Sequence, residues 1–152
     1  MLAGGDTAVL SFLRQSAIVH VATLSPKERP FATPLWFVVH DNDVYITSSY
    51  DSWAGRNVRQ HPQVTLLFCS DPPGHSDLTL RVRGTATCHR GFPPWPALLR
   101  IAMKYELAPR ALWSELRHVH KWRLRARYYR QAKGGPGYIR VVPSAYEFLP
   151  PP

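Results

Sequence analysis

Acids, cysteines and long apolar runs are all scarce in this sequence of 152 residues. No stretch reaches the ~18 apolar residues that a membrane-crossing helix needs. The opening MLAGGDTAVLSFLRQ has no basic segment followed by an apolar block and a cleavage site, so a cytoplasmic protein is expected. The two cysteines, Cys69 and Cys88, stand apart in strand-like sequence and form no CxxC pair. Buried thiols are therefore expected rather than a metal site or a redox couple. The seven histidines show neither HxxxH nor HExxH spacing. His118 and His120 are two apart and diverge on a helix, so zinc is not expected. No internal repeat is present, and the only low-complexity segment is the proline tail at 150–152.

The shortage of acids, 10 against 19 Lys and Arg, leaves a formal charge of +9 and a pI near 10.1. Such a balance bears on partners and not on fold. The excess is local: residues 117–133 hold seven Lys or Arg and no acid. Arg117, Lys121 and Arg125 form one helical stripe, and Arg123, Arg127 and Arg130 another, with Trp122, Tyr128 and Tyr129 interleaved. A solvated helix face, capture of an anionic tail and nucleic-acid contact are the three readings of that run.

Along the chain, Asp6 or Thr7 can cap a helix to Gln15 with Val9, Leu10 and Leu13 as its stripe. AIVHVATL at 17–24 alternates as a strand. Residues 31–39 read as a second strand, in which Pro34 has no N–H to give to a ladder and therefore marks an edge, a bulge or a ligand. The turn His40-Asp41-Asn42-Asp43 leads to a third strand at 44–49. Residues 63–69 and 78–88 are further strands. In the latter Leu80, Val82, Gly84 and Ala86 share one face, and Arg81 and Arg83 the other, where they want an anion or face solvent. Trp95, Leu98, Leu99, Ala102 and Met103 recur at helical spacing, and a further helix is expected from Pro109. Residues 138–142 and 146–149 supply the last strand material. The pattern is mainly β with appended helices (α+β), a six-stranded antiparallel barrel in a single domain, 1–152, with a helical insertion at about 92–133. The size suffices for one core without disulfides or metal.

The chemistry collects where the third strand meets the next helix. Thr47, Ser48, Ser49 and Ser52 offer hydroxyls, a helix over 53–60 capped by Ser52 offers unpaired amides, and Arg56 offers a cation. A phosphate suits that corner.

In order, VATL, RPFATPLWFVV, DVYITSS, SWAGRNVRQHPQVTLLF and LRVRGTATC, over residues 16–88, resemble the FMN-binding split-barrel family. That group includes pyridoxamine 5′-phosphate oxidase and the deazaflavin (F420)-dependent reductases. YIRVVPSAYEF looks like its closing element. No single motif is specific, but the ordered set is. The resemblance implies a split β-barrel homodimer that holds FMN or F420 in the groove between subunits. It implies that Thr33, Pro34, Leu35 and Trp36 line the ring system and that Thr47, Ser48, Ser49, Ser52, Arg56 and Asn57 hold the phosphate. RNVRQHP is closer to the F420-reductase branch. Where relatives carry a lysine after the serine, this chain has Trp53 and Ala54; Arg56, Arg81, Arg83 or the basic helical run could substitute, or the pocket could take another ligand. The resemblance therefore implies an oxidoreductase acting on a small organic substrate, for which the sequence assigns no catalytic acid or base. The alternatives are a non-catalytic cofactor- or haem-binding protein of the same fold and a basic nucleic-acid-associated domain.

Overall fold

The computed structural model describes residues 7–69, 79–106 and 135–150. Its elements in chain order are α1 (Thr7–Gln15), β1 (Val19–Leu24), β2 (Pro30–Leu35), β3 (Phe37–His40), β4 (Asp43–Ser49), α2 (Trp53–Gln60), β5 (Gln63–Cys69), β6 (Thr79–Arg90), α3 (Trp95–Ile101) and β7 (Pro136–Leu149). After Ala102 the α3 helix widens into a π-helical turn, Ala102–Glu106. The helix expected from Pro109, the basic run and the remainder of the 92–133 insertion lie outside the described residues.

All strand pairs are antiparallel, and the sheet runs β2-β1-β5-β6-β7-β4-β3. The two edge strands are consecutive in the chain and separated only by Trp36. A single residue can join opposite edges only if the sheet curls round on itself. At the crossover Thr47 N of β4 donates to Trp36 O at 3.2 Å, which carries the β3–β4 ladder one residue past Phe37.

Seven strands replace the six expected, because 31–39 is not one strand. Pro34 lies opposite His20 on the edge strand β2, where a missing N–H costs no ladder bond. Beyond Trp36 the chain leaves β1 and pairs with β4. Conversely, 138–142 and 146–149 belong to one strand, β7. Its ladder with β6 slips between Arg83 and Gly84, which face Ala145 and Pro143 and leave Ser144 unopposed. Ser144 Oγ donates to Arg83 O at 3.2 Å across this bulge. The sheet approaches itself closely beside it: a Cβ on Gly84 would stand 2.6 Å from Val142 O.

Alternation fills the inside of the curl. Val19 and Val21, Leu66 and Phe68, Leu80 and Val82, and Ile139 and Val141 are all buried in one cluster, with Val9 and Leu13 of α1 and Val58 of α2. The β3–β4 turn has positive φ at Asp41 and Asn42, as a tight primed hairpin turn requires of residues that tolerate that region. Strand β4 is covered on both faces, since Tyr45 joins Val38, Ala97, Ile101 and the half-buried Tyr138 in a second, outer cluster under α3. The residues that seat α3 are thus Ala97 and Ile101. The stripe expected to do so instead stays partly open, with Trp95 at 75%, Met103 at 58% and Leu99 at 50% of full exposure. Expectation and structure also part at the cysteines. Cys69 is exposed and Cys88 half-buried, both as free thiols, because Cys69 falls on the outward position of β5.

Candidate functional site

The corner between β4 and α2 is fixed from several sides. Ser52 caps α2, its Oγ accepting from Gly55 N at 3.0 Å and lying 2.8 Å from Ser48 Oγ. The helix sits so close to the preceding turn that a Cβ on Gly55 would come within 2.5 Å of Tyr50 O and 3.1 Å of Cys88 Sγ. Asn57 is fully buried, and its Nδ2 donates to Thr23 Oγ1 at 3.0 Å, which ties α2 to β1. Its Oδ1 has no hydrogen-bond partner among the described residues. Tyr50 lies between two guanidinium groups, Arg59 and Arg90, each 4.0 Å from its ring centre. Arg59 also donates to Tyr50 O at 2.8 Å and to Asp51 at 3.1 Å. Burial pushes the Cys88 thiol up, so it is not a thiolate nucleophile at neutral pH.

The expected site residues divide into three groups. Trp36, Thr47 and Ser48 line a cleft of about 480 Å³, closed on its far side by Phe92, Pro93, Leu98, Ile101 and Ala102 and floored by Pro136 and Gly137 of β7. Ser48 carries the polar chain on from this cleft to Ser52 and the first turn of α2. Ser49 is half-buried opposite Pro136. Thr33, Pro34 and Leu35 run along the edge strand, Pro34 exposed and Leu35 packed against the core. Arg56 and Asn57 point oppositely: Asn57 inward, Arg56 outward over the Trp53 ring at 5.8 Å. Trp53 is 65% exposed and stacks on Phe31, with centres 6.1 Å apart and planes 3° from parallel. A flat aromatic pair with a guanidinium above it occupies the start of α2.

Arg81 and Arg83 have an anion already. Glu147 on the neighbouring strand accepts from Arg81 at 2.7 Å and stands 3.9 Å from Arg83. The wall from α3 and β7 was not readable locally. Phe92 and Leu98 approach Thr47 and Ser48 only through folding, and Gly137 does so through its register opposite Ser48. The one local signal was the glycine- and proline-rich entry to β7 at 134–137. Among the described residues, no cluster of three metal-ligating side chains occurs and no helix is long and apolar enough to cross a membrane.

A curled antiparallel sheet closed at a one-residue crossover, with a hydroxyl-lined cleft at that crossover, defines a split-barrel protein. The sequence model described as pyridoxamine 5′-phosphate oxidase matches residues 6–131, and the chain belongs to that family. No curated sequence matches significantly. Among solved structures, an F420 reductase is similar at 21% identity with TM-score 0.60, over 90% of this chain and 94% of the other. A conserved hypothetical protein from Mycobacterium tuberculosis gives 15% identity and TM-score 0.67, over 96% and 84%. HutZ, a haem-storage protein from Vibrio cholerae, gives 13% and 0.65, over 95% and 92%. At these identities the likeness is one of fold.

Proposed function

We propose that this chain binds a flavin-type cofactor, FMN or F420, in a homodimer of single-domain cytoplasmic subunits, and acts as an oxidoreductase on a small organic substrate. The observation that carries the reading is the cleft at the crossover. It is large enough for a planar ring, it is walled by Trp36, Phe92 and Leu98, and it leads by way of Ser48 and Ser52 to the first turn of a capped helix. The donor set fits such a group: uncharged aromatic and aliphatic walls suit a heteroaromatic ring, and hydroxyls at a helix start suit a phosphate. Arg56, on the outer face of α2, is the candidate cation for the phosphate. Thr33, Pro34 and Leu35 offer backbone along an edge that has no strand outside it among the described residues.

When bound, the cofactor supplies the hydride or electron-pair chemistry, and the protein supplies placement, electrostatics and exclusion of water. Trp36 and Phe92 shield the ring, and Thr47 and Ser48 orient its polar edge. The apolar residues that α3 leaves open suit contact with a second copy, since exposed apolar patches mark interfaces.

The likeness to HutZ favours a second reading, haem binding without turnover. Against it, no histidine lines the cleft among the described residues. Titration with FMN, F420 and haem, followed by absorption, separates the readings. Saturable uptake of FMN or F420 supports the first, and a Soret band with neither flavin taken up overturns it. Turnover of reduced cofactor with a carbonyl or nitro acceptor then separates enzyme from carrier.

A further inference from the structure

A second cavity, of about 340 Å³, lies on the other side of α3, between that helix, α1 and β3. We propose that it is a separate ligand site for a small amphipathic anion, a carboxylate on a medium-length apolar chain. Among the described residues its walls carry two kinds of group and no acid. Leu10, Leu13, Phe37, Val38 and Met103 form an apolar surface, while Arg14, Arg100 and Lys104 bring three cations to the same space. The cations are arranged rather than scattered. Arg100 is fixed by donating to Val39 O at 2.8 Å. Lys104 Nζ sits 3.7 Å from the centre of the Phe37 ring and 3.4 Å from Phe37 O, so a carboxylate could be met by an ammonium already held over the apolar wall. Arg14, exposed at the last turn of α1, makes no ion pair among the described residues and can close on the carboxylate from the opposite wall.

The backbone separates this cavity from the first. The turn changes from α to π at Ala102, and this residue lines the crossover cleft, whereas Met103 and Lys104 line the second. Single π turns are frequent at functional sites because they re-aim neighbouring side chains. The volume falls at the small end of ligand sites, which run from about 300 to 1,000 Å³. One apolar chain with one head group fits it, and a dinucleotide does not.

Burial lowers the Lys104 amine from its ordinary value to about 8. A carboxylate beside it would favour the charged form and move it back up. Among the described residues the other charged groups facing the site are Arg14 on α1 and Arg100 on α3, while β3 contributes only Phe37, Val38 and Val39 to the wall.

The test uses the full chain with octanoate as probe, and octanol and acetate as controls, in a calorimetric titration. Octanoate is expected to bind once per chain, with octanol and acetate at least about tenfold weaker, since a lost charge-assisted bond or several lost buried methylenes each costs that much. Lys104→Met and Arg14→Leu are each expected to weaken octanoate about tenfold or more while binding FMN or F420 as the parent does. A measurement on the parent protein guards against a variant that fails to fold: carbon-13 NMR of the Lys104 side chain should show its midpoint rising from about 8 on adding octanoate. The proposal is overturned if octanol binds as well as octanoate, if the two variants bind unchanged, if the Lys104 midpoint does not move, or if octanoate is displaced by the cofactor.

Discussion

The two clefts on either side of α3 share a wall and differ in charge. The crossover cleft is lined by Trp36, Thr47, Ser48 and the α3 and β7 walls, without one charged side chain among the described residues. Its neighbour carries three cations. A strongly basic protein thus keeps charge out of the cleft that best suits a flavin ring and gathers it where an anion with an apolar body fits. The difference shows that net charge alone does not locate a ligand. Position on the helix decides: Ile101 and Ala102 face one cleft, and Arg100, Met103 and Lys104 the other.

The largest effect expected is at α2, which the crossover cleft reaches through Ser48 and the Ser52 cap. Replacing a helix-interior glycine by a larger residue ordinarily favours the helix, but at Gly55 a Cβ meets backbone carbonyls that cannot turn away. Gly55→Val should cost about 3 kcal/mol in urea denaturation and lower cofactor affinity, and octanoate binding should persist in the folded fraction. An unchanged midpoint would mean that α2 is not pinned to Tyr50 as described.

Arg56→Ala comes next. If Arg56 supplies the missing cation, affinity for FMN or F420 should fall roughly tenfold to a hundredfold, about 1.5–3 kcal/mol, without loss of folding stability, because the side chain lies outside the core. Unaltered affinity would return the phosphate to the neutral donors. Ser48→Ala should be milder, about 0.5–1.5 kcal/mol in cofactor affinity, since it removes one neutral hydroxyl and leaves Ser52 its bond from Gly55. A difference of this kind between the two variants, read by fluorescence titration, would apportion the corner between charge and hydroxyls.

The smallest effect concerns pH and belongs to the second cleft. Lys104 titrates near 8 when folded and near 10.5 when unfolded, so between these values the unfolded chain binds the additional proton. Burying the charged amine therefore costs stability below about pH 8, and that cost is relieved as pH rises towards 10.5. The parent should gain stability relative to Lys104→Met on going from pH 7 to pH 10. A parallel pair of curves would contradict the burial of this amine.

Much of the framework was legible because it rests on alternation and capping. The inward faces of β1, β5 and β6 follow from Val19 and Val21, Leu66 and Phe68, Leu80 and Val82, and the Ser52 cap follows from its residue type and place. Pro34 left an edge, a bulge or a ligand open, and the structure places it on the edge strand β2. What sequence could not give was partnership over distance. The turn of the chain at Trp36, from β1 to β4, depends on curl of the whole sheet. The partner of Arg81 and Arg83 is Glu147, more than sixty residues on, and the inward turn of Asn57 depends on Thr23. The placement of Asn57 and Arg56 on opposite sides of α2 makes them unequal candidates for one phosphate, although they are adjacent in sequence.

The central claim is that the crossover cleft takes a flavin-type ring. Absorption and fluorescence titration of the purified protein with FMN and with F420 tests it most directly. Saturable binding of one of them, at one equivalent per chain and weakened in Arg56→Ala, is the predicted result. Titrations that leave both cofactors free at concentrations far above the protein would contradict it.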